Sequence, residues 1–583
     1  MNLKHLNILN LKMSWKKLLK NLYRDESIHW LQKDSVPPTI DLNNIDITIT
    51  QSSENCWQVV HSSGSRCLHS KIVLNESELK SASVLLTLYT PPNANAYLQA
   101  DTHVAGKNNE IVFVGMILIY DSMKIPVSLV SADIGCGLSV LPLVQDGMHM
   151  REDDLAPQDA KIFHHYCLAS IRRALKRGRI AEKGETICSF LSNAIEYYET
   201  NLDEWVNDMK YVLDMVGIQM PKEDGGDVLK YISRFAQTTG SSGNHFCEIS
   251  VDDWGFYWII LHSGSRMLGS MVYDCISKAA KVMNNGLEIA TDKLAIFYMK
   301  AYDVLNQFAK LNRIICAISV LHELELDTNC QVLKNVMAKS PLFEPAITIT
   351  NDKESILSLM GGLTHNGIKS YINDEEQKSL YVLSKGAVSM SKRASSSIVA
   401  LRAGDGCLLY TLADPSVQWR EVTMKEALVK NYETIYSCND IIFSGHGAGR
   451  SQSTSKTMKQ STYEDVYNFY KEYNVVGPIN PSITGDNPRT AYKDVETVKK
   501  ELPLHLACTS SKLVTRVTHK EGISYRSKKE CAEFIEKMWN NVSNEEKLVF
   551  DIVLCSRELS NIREMKKEQD EIYLGLRAYL KMI

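Results

Sequence analysis

The stretch Ser131-Ala132-Asp133-Ile134-Gly135-Cys136-Gly137 constrains this chain more than any other. It sets a carboxylate and a thiol three residues apart, on a turn whose glycines reach backbone conformations closed to other residues. Such a pair reads as two metal ligands on one tight turn, and a deprotonated cysteine sulfur can bridge two ions. Four histidines downstream, His245, His262, His365 and His446, each stand beside Gly, Ser or Asn. They read as converging on the turn, which fits one large domain closed around a centre.

Composition bounds what that domain can be. The 583 residues suffice for one large domain with elaborations or for two to four ordinary ones. Hydrophobic residues make up 44% and charged residues 23%, the mixture of a soluble globular protein rather than a disordered or membrane-bound one. A net charge of -4 gives no global pull toward nucleic acid, so any such binding needs a local basic surface. The 14 cysteines are scattered, with no C-x-x-C pair, which suits buried thiols in a reducing compartment such as the cytoplasm. No run approaches the roughly 18 to 20 apolar residues of a membrane span. Residues 1–24 are lysine-rich and acid-free and read as an amphipathic helix lying on the body, with a targeting peptide as the alternative.

Along the chain, a β-branched run over residues 40–50 reads as extended, and residues 95–144 are strand-rich up to the turn. Residues 162–179 and 188–216 carry apolar residues at helical spacing. Within them Arg172, Arg173, Lys176, Arg177 and Arg179 form a basic cluster, read as a solvated helix face. Residues 254–261 predict a buried strand ending at His262, and residues 294–321 a long helix. A shorter helix is placed at 424–430, and a strand at 441–443 delivers the loop around His446. The fold class is mixed α/β (α+β).

Carboxylate, thiolate and imidazole together suit manganese, cobalt, iron or zinc better than calcium or magnesium, which prefer oxygen cages. Around His446 the signal differs. Gly445, Gly447 and Gly449 let the backbone approach a ligand closely, and Arg450 offers a planar fork for phosphate. A histidine there can be a ligand, an acid/base or a nucleophile, and the residues alone leave the three open.

The combination of Asp133-Ile-Gly-Cys136-Gly, Gly243-Asn-His-Phe, His262-Ser-Gly-Ser-Arg266, His365-Asn366 and His446-Gly-Ala-Gly-Arg450 resembles the RtcB family of RNA ligases. Supporting matches fall in order: Asp101-Thr-His103, Phe308-Ala-Lys-Leu-Asn312-Arg313, Lys385-Gly386-Ala387, Ala491-Tyr492-Lys493-Asp494-Val495 and Lys520. The resemblance implies an RtcB-like fold of β-sheets flanked by helices around a dinuclear metal cleft. It also implies joining of RNA 3′-phosphate or 2′,3′-cyclic phosphate ends to 5′-hydroxyl ends, with GTP and two manganese ions. By the same resemblance Cys136 bridges the metals, with His245 and His262 completing one shell and Asp133 and His365 the other. His446 attacks the α-phosphate of GTP and carries GMP. Asn244, Arg266, Asn366, Gly447, Ala448, Gly449 and Arg450 fall at positions for phosphate, and Phe246, Glu248, Tyr492 and Lys520 at positions around guanine. RNA ends and GTP are the implied partners, with room for an activating protein and no membrane.

The resemblance divides the chain into a divergent N-terminal region (1–94), a catalytic domain (95–524) with a helical insertion near 151–235, and a helical C-terminal extension (525–583). Departures from the family pattern cluster where RNA or phosphates would lie: Ser384 and Val388 flank Lys385-Gly386-Ala387, and Ser241-Ser242 precede Asn244. The competing readings are a 3′-phosphate guanylating enzyme that ligates poorly, an RNA-end-binding protein with weak turnover, and a plain dinuclear phosphoesterase.

Overall fold

Two mainly antiparallel sheets carry the chain, and the expected mixed α/β class is what the structure has. It is a computed structural model that describes residues 15–24, 45–71, 74, 76–105, 112–175, 202–221, 224–236, 245–343, 362–373, 378–391, 395–402, 404–412, 441–451, 462–473, 475–476, 491–500, 507–518, 539–548 and 562–583. The larger sheet has seven strands, in the order Thr48–Ser53, Cys56–His61, Gly64–Ser70, Asn95–Ala105, Val112–Tyr120, Lys378–Lys385 and Asn366–Asn373. Its one parallel pair joins Gly64–Ser70 to Asn95–Ala105. The second sheet has six, in the order Leu363–Thr364, Gly137–Pro142, Tyr257–Ser263, Phe246–Val251, Lys512–Thr518 and Val475–Val476.

The central strands of the second sheet are buried on both faces, so they read as continuous apolar runs rather than alternating ones. The strand expected at 254–261 starts later, at Tyr257. Asp252 Oδ1 accepts from the backbone N–H groups of Trp254 and Phe256, both at 2.9 Å. This Asp-centred turn takes Trp254 and Gly255 out of the ladder. Nor is the apolar stretch before the metal turn all strand: Val127–Val130 forms a single helical turn.

Helix Asp292–Glu323 runs through the core, buried on most sides. It is long and apolar enough to cross a membrane, against the expectation from apolar runs, but 83% of its most apolar window is covered by the rest of the protein. Of the N-terminal residues, Trp15–Leu22 form a helix that buries Leu18 and Leu19. The basic cluster is not a solvated face where it is described. Arg172 donates to the carbonyl of Leu548 at 2.7 Å, and Arg173 pairs with Asp570 at 2.7 Å while its guanidinium lies 3.8 Å from the Tyr573 ring centre. From helix Pro157–Ala174, Arg173 docks the C-terminal helix Ile562–Leu580 and Arg172 the segment that ends at Leu548. The helix expected at 424–430 lies outside the described residues.

Candidate metal and nucleotide centre

Strand register explains why residues so far apart in sequence meet. Cys136 immediately precedes strand Gly137–Pro142, and His245 immediately precedes strand Phe246–Val251. Strand Tyr257–Ser263 lies between those two, with His262 paired to Leu138 on one side and Phe246 on the other. Neighbouring strands lie about 4.8 Å apart, so three residues at one end of the sheet come within ligand distance of a common point.

The fourth position comes from the joint between sheets. Leu363–Thr364 is an edge strand of the second sheet, and Asn366–Asn373 is an edge strand of the first. His365 is the single residue between them, fixed by its N–H donating to the carbonyl of Cys136 at 2.8 Å. A second joint delivers His446. Gly386, at φ +60°, connects strand Lys378–Lys385 of the first sheet to strand Ala387–Ser391, which pairs with Ile441–Gly445. His446 follows at the end of that strand.

The geometry is that of a shared thiol. Cys136 Sγ lies 3.1 Å from His245 Nε2 and 3.3 Å from His262 Nε2. Asp133 Oδ2 is 2.9 Å from His245 Nε2, and His262 Nε2 is 3.2 Å from His365 Nε2. Two groups able to hold a metal result, Asp133–Cys136–His245 and Cys136–His262–His365, with ligand atoms in each group within 4.8 Å of one another. The resemblance pairs the ligands as His245 with His262 and Asp133 with His365, and Cys136 Sγ lies within 3.3 Å of both His245 and His262. Gly264 leaves room for the Asp133 carboxylate, which a Cβ there would strike.

Electrostatics prepare the site for cations. Burial opposes charge on Asp133, but His245 and the Arg266 guanidinium hold its carboxyl well below the usual range. Burial, then the Asp133 charge, push the Cys136 thiol well up, so thiolate formation there calls for a compensating cation. Burial holds His365 well below its ordinary value, which keeps it a neutral imidazole, the form that binds metals. The donor set therefore fits a pair of transition-metal ions.

His446 stands beside these groups, its ring centre 4.3 Å from that of His365. Its Nδ1 is 2.6 Å from the carbonyl of Gly386, an acceptor only, so the proton of the neutral ring sits on Nδ1 and Nε2 carries the lone pair. Gly386 is in turn held by its N–H donating to Asn366 Oδ1 at 3.0 Å. Asn366 thus acts through the backbone that orients His446. The loop after it is clamped on both sides: Ala448 N–H donates to Ala400 at 3.0 Å, and Lys493 N–H donates to Gly449 at 3.0 Å. Gly447, Ala448 and Gly449 are buried, and Arg450 lies 5.2 Å from the Tyr492 ring centre.

Arg266 opens helix Arg266–Met283 at φ +61° and brings Nη1 to 2.6 Å from His245 Nδ1. Phe246 stands against His262, ring centres 5.6 Å apart. Glu248, by contrast, is engaged away from the metal groups, in a buried pair with Arg516. Asn244 and Lys520 lie outside the described residues.

Sequence reasoning missed Arg516 and the structural work of Arg313. The latter is fully buried and donates to Gly135 O at 2.8 Å, Ser263 O at 2.6 Å and Ser139 Oγ at 3.0 Å. One side chain on the core helix thereby ties the Cys136 turn to the segment after His262. A charged residue within an otherwise apolar helical run was the available signal.

The chain matches the family model for the tRNA-splicing ligase RtcB over residues 93–521. RNA-splicing ligase RtcB1 of Escherichia coli strain ATCC 25922 is 25% identical over 376 residues, covering 63% of this chain and 76% of the relative. RNA-splicing ligase RtcB of Escherichia coli K12 is 26% identical over 378 residues, with the same 63% and 76% shares. The metal groups meet at the strand ends and sheet joint within the matched span, and the chain belongs to the tRNA-splicing ligase RtcB family.

Proposed function

We propose that this chain is an RNA ligase that joins a 3′-phosphate or 2′,3′-cyclic phosphate end to a 5′-hydroxyl end, using GTP and two manganese ions. The observation that carries the reading is Cys136 shared between two ligand groups, with the His446 ring centre 4.3 Å from that of His365. A plain dinuclear phosphoesterase would not need His446 in its glycine loop beside the metal groups.

Asp133, Cys136, His245, His262 and His365 would hold the two ions between them, with Cys136 shared. Bound there, two cations neutralise charge as it builds on phosphate oxygens. The protein's own part begins with His446. Its Nε2 attacks the α-phosphorus of GTP, the bond to the β-phosphate oxygen breaks, and pyrophosphate leaves. The Gly386 carbonyl holds the Nδ1 proton throughout, which steadies the ring as it gains positive character. An RNA 3′-phosphate oxygen then takes the GMP from nitrogen, restoring the neutral imidazole. Finally the 5′-hydroxyl oxygen attacks the activated 3′-phosphorus and GMP departs. A 2′,3′-cyclic end is first opened by water.

Arg266, Asn244 and the Gly447–Ala448–Gly449–Arg450 loop are the phosphate-side residues in this reading, and Phe246, Glu248, Tyr492 and Lys520 the base-side ones. RNA repair or splicing in the cytoplasm is the setting. Nine cysteines among the described residues are free thiols, which supports a reducing compartment.

The test is RNA carrying 3′-phosphate and 5′-hydroxyl ends, incubated with GTP and manganese. Sealed product that disappears when either is withheld supports the reading. Accumulation of 3′-guanylated RNA without sealing makes the chain a capping enzyme, and unchanged RNA overturns the proposal.

A further inference from the structure

The loop after His446 is tied to strand Asn95–Ala105 by a residue that the proposed reaction does not use. Lys493 follows Tyr492, which forms an isolated bridge with Arg450. The backbone N–H of Lys493 donates to Gly449 O at 3.0 Å, and its Nζ donates to the carbonyl of Thr102 at 2.7 Å. Lys493 and Thr102 stand 391 positions apart in sequence. An ammonium on a carbonyl is a charge-assisted bond, and this one is half-buried, which strengthens it further.

From Thr102 the contacts lead back to His446. Thr102 lies where the register of strand Asn95–Ala105 with Val112–Tyr120 shifts, between Leu98 and His103. It is buried, and its Oγ1 donates to Gly115 O at 2.8 Å. Gly115, at φ +85°, packs on Gly386, where an added Cβ would come within 2.9 Å of Gly115 N and 3.0 Å of His446 Cε1. Gly386 O accepts from His446 Nδ1 at 2.6 Å. The path closes on itself, from His446 along the backbone to Gly449, then through Lys493, Thr102, Gly115 and Gly386 to His446 again. Opening it at Lys493 leaves every strand ladder intact but frees the loop to shift against the strand.

We propose that Lys493 is a positioning residue for nucleotidyl transfer: by closing the ring between the glycine loop and strand Asn95–Ala105, it fixes His446 Nε2 against the α-phosphorus. It acts through Gly449 and Thr102 rather than on the reacting atoms. This rests on the reading that His446 accepts a nucleotidyl group. Losing the ring then costs rate rather than affinity. A misplacement on the order of 1 Å can slow a reaction about a hundredfold, while the groups that bind nucleotide and metals remain.

The experiment follows covalent labelling of the full chain by manganese and GTP labelled at the α-phosphate, over a range of GTP concentrations. It yields a limiting rate and a half-saturating GTP concentration. Lys493→Met should lower the limiting rate by about fivefold or more and leave half-saturation within about threefold of the unaltered chain. Manganese content and melting temperature should be retained. Lys493→Arg, which keeps a charged donor, should recover most of the rate. Thr102→Val removes the next link at nearly equal volume and should slow labelling too. The double variant should be no slower than the slower single one, because both changes open the same ring. A smaller fall in Lys493→Met overturns the inference while leaving the ligase reading intact. So does a loss carried by half-saturation or by missing manganese, an arginine variant no faster than the methionine one, or effects that multiply in the double variant. If Lys493→Met does not fold, Thr102→Val decides, and an unaltered rate there overturns the inference. No labelling of the unaltered chain overturns both.

Discussion

At the residue scale, two side chains divide the work that a single turn first suggested. Cys136 belongs to both ligand groups, whereas His446 is in neither and is anchored through Gly386. Replacing Cys136 by Ala should therefore lose both metals, read by elemental analysis of the purified protein. His446→Ala should retain them. If Cys136→Ala keeps two ions, the shared-thiol geometry does not describe the loaded site. The five ligands and His446 were legible in the sequence because each stands next to small or polar neighbours at the end of an apolar run. The strand order that brings them together was not legible. That order is a long-range property, and no local spacing encodes it. The partner of Glu248 was not legible for a similar reason: Arg516 lies far along the chain and meets it only across a strand pair.

At the scale of elements, the long helix Asp292–Glu323 is the beam on which the site rests. Ala309 and Asn306 pack against Gly135, where a Cβ would approach within 2.8 and 2.9 Å, and Arg313 ties the ligand-bearing segments together. Arg313→Met should lower metal affinity by about tenfold or more, as loss of groups supporting metal ligands generally does, measured by titration calorimetry with manganese. Unchanged affinity would remove Arg313 from the account. The C-terminal helix acts elsewhere. Tyr573 is 2% exposed, stacks on Tyr166 with centres 5.6 Å apart, and lies under Arg173. Tyr573→Ala should destabilise the fold by about 3 kcal/mol in denaturant unfolding, with metal content unchanged. The helix itself was readable from its charged, helix-prone sequence. Its docking was not, because Arg173 read as part of a solvated helix face.

At the scale of the whole molecule, the centre forms where two sheets exchange strands, so stability and function share the same joints. Acid should expose that coupling. Burial pushes His69, His149 and His164 down from the ordinary 6.5 to about 4. Between those values the unfolded chain binds protons that the folded chain does not, so stability falls as the pH drops from about 6.5 toward about 4. The melting temperature should follow, and His149→Gln should flatten the decline; an unchanged slope would remove His149 from its causes. The central claim is that His446 is the nucleophile of a nucleotidyl transfer beside a two-metal site. Its most direct test is incubation of the chain with manganese and GTP labelled at the α-phosphate. The account predicts an acid-labile covalent adduct that is absent from His446→Ala; no adduct in the unaltered chain, or one that survives in the variant, would contradict it.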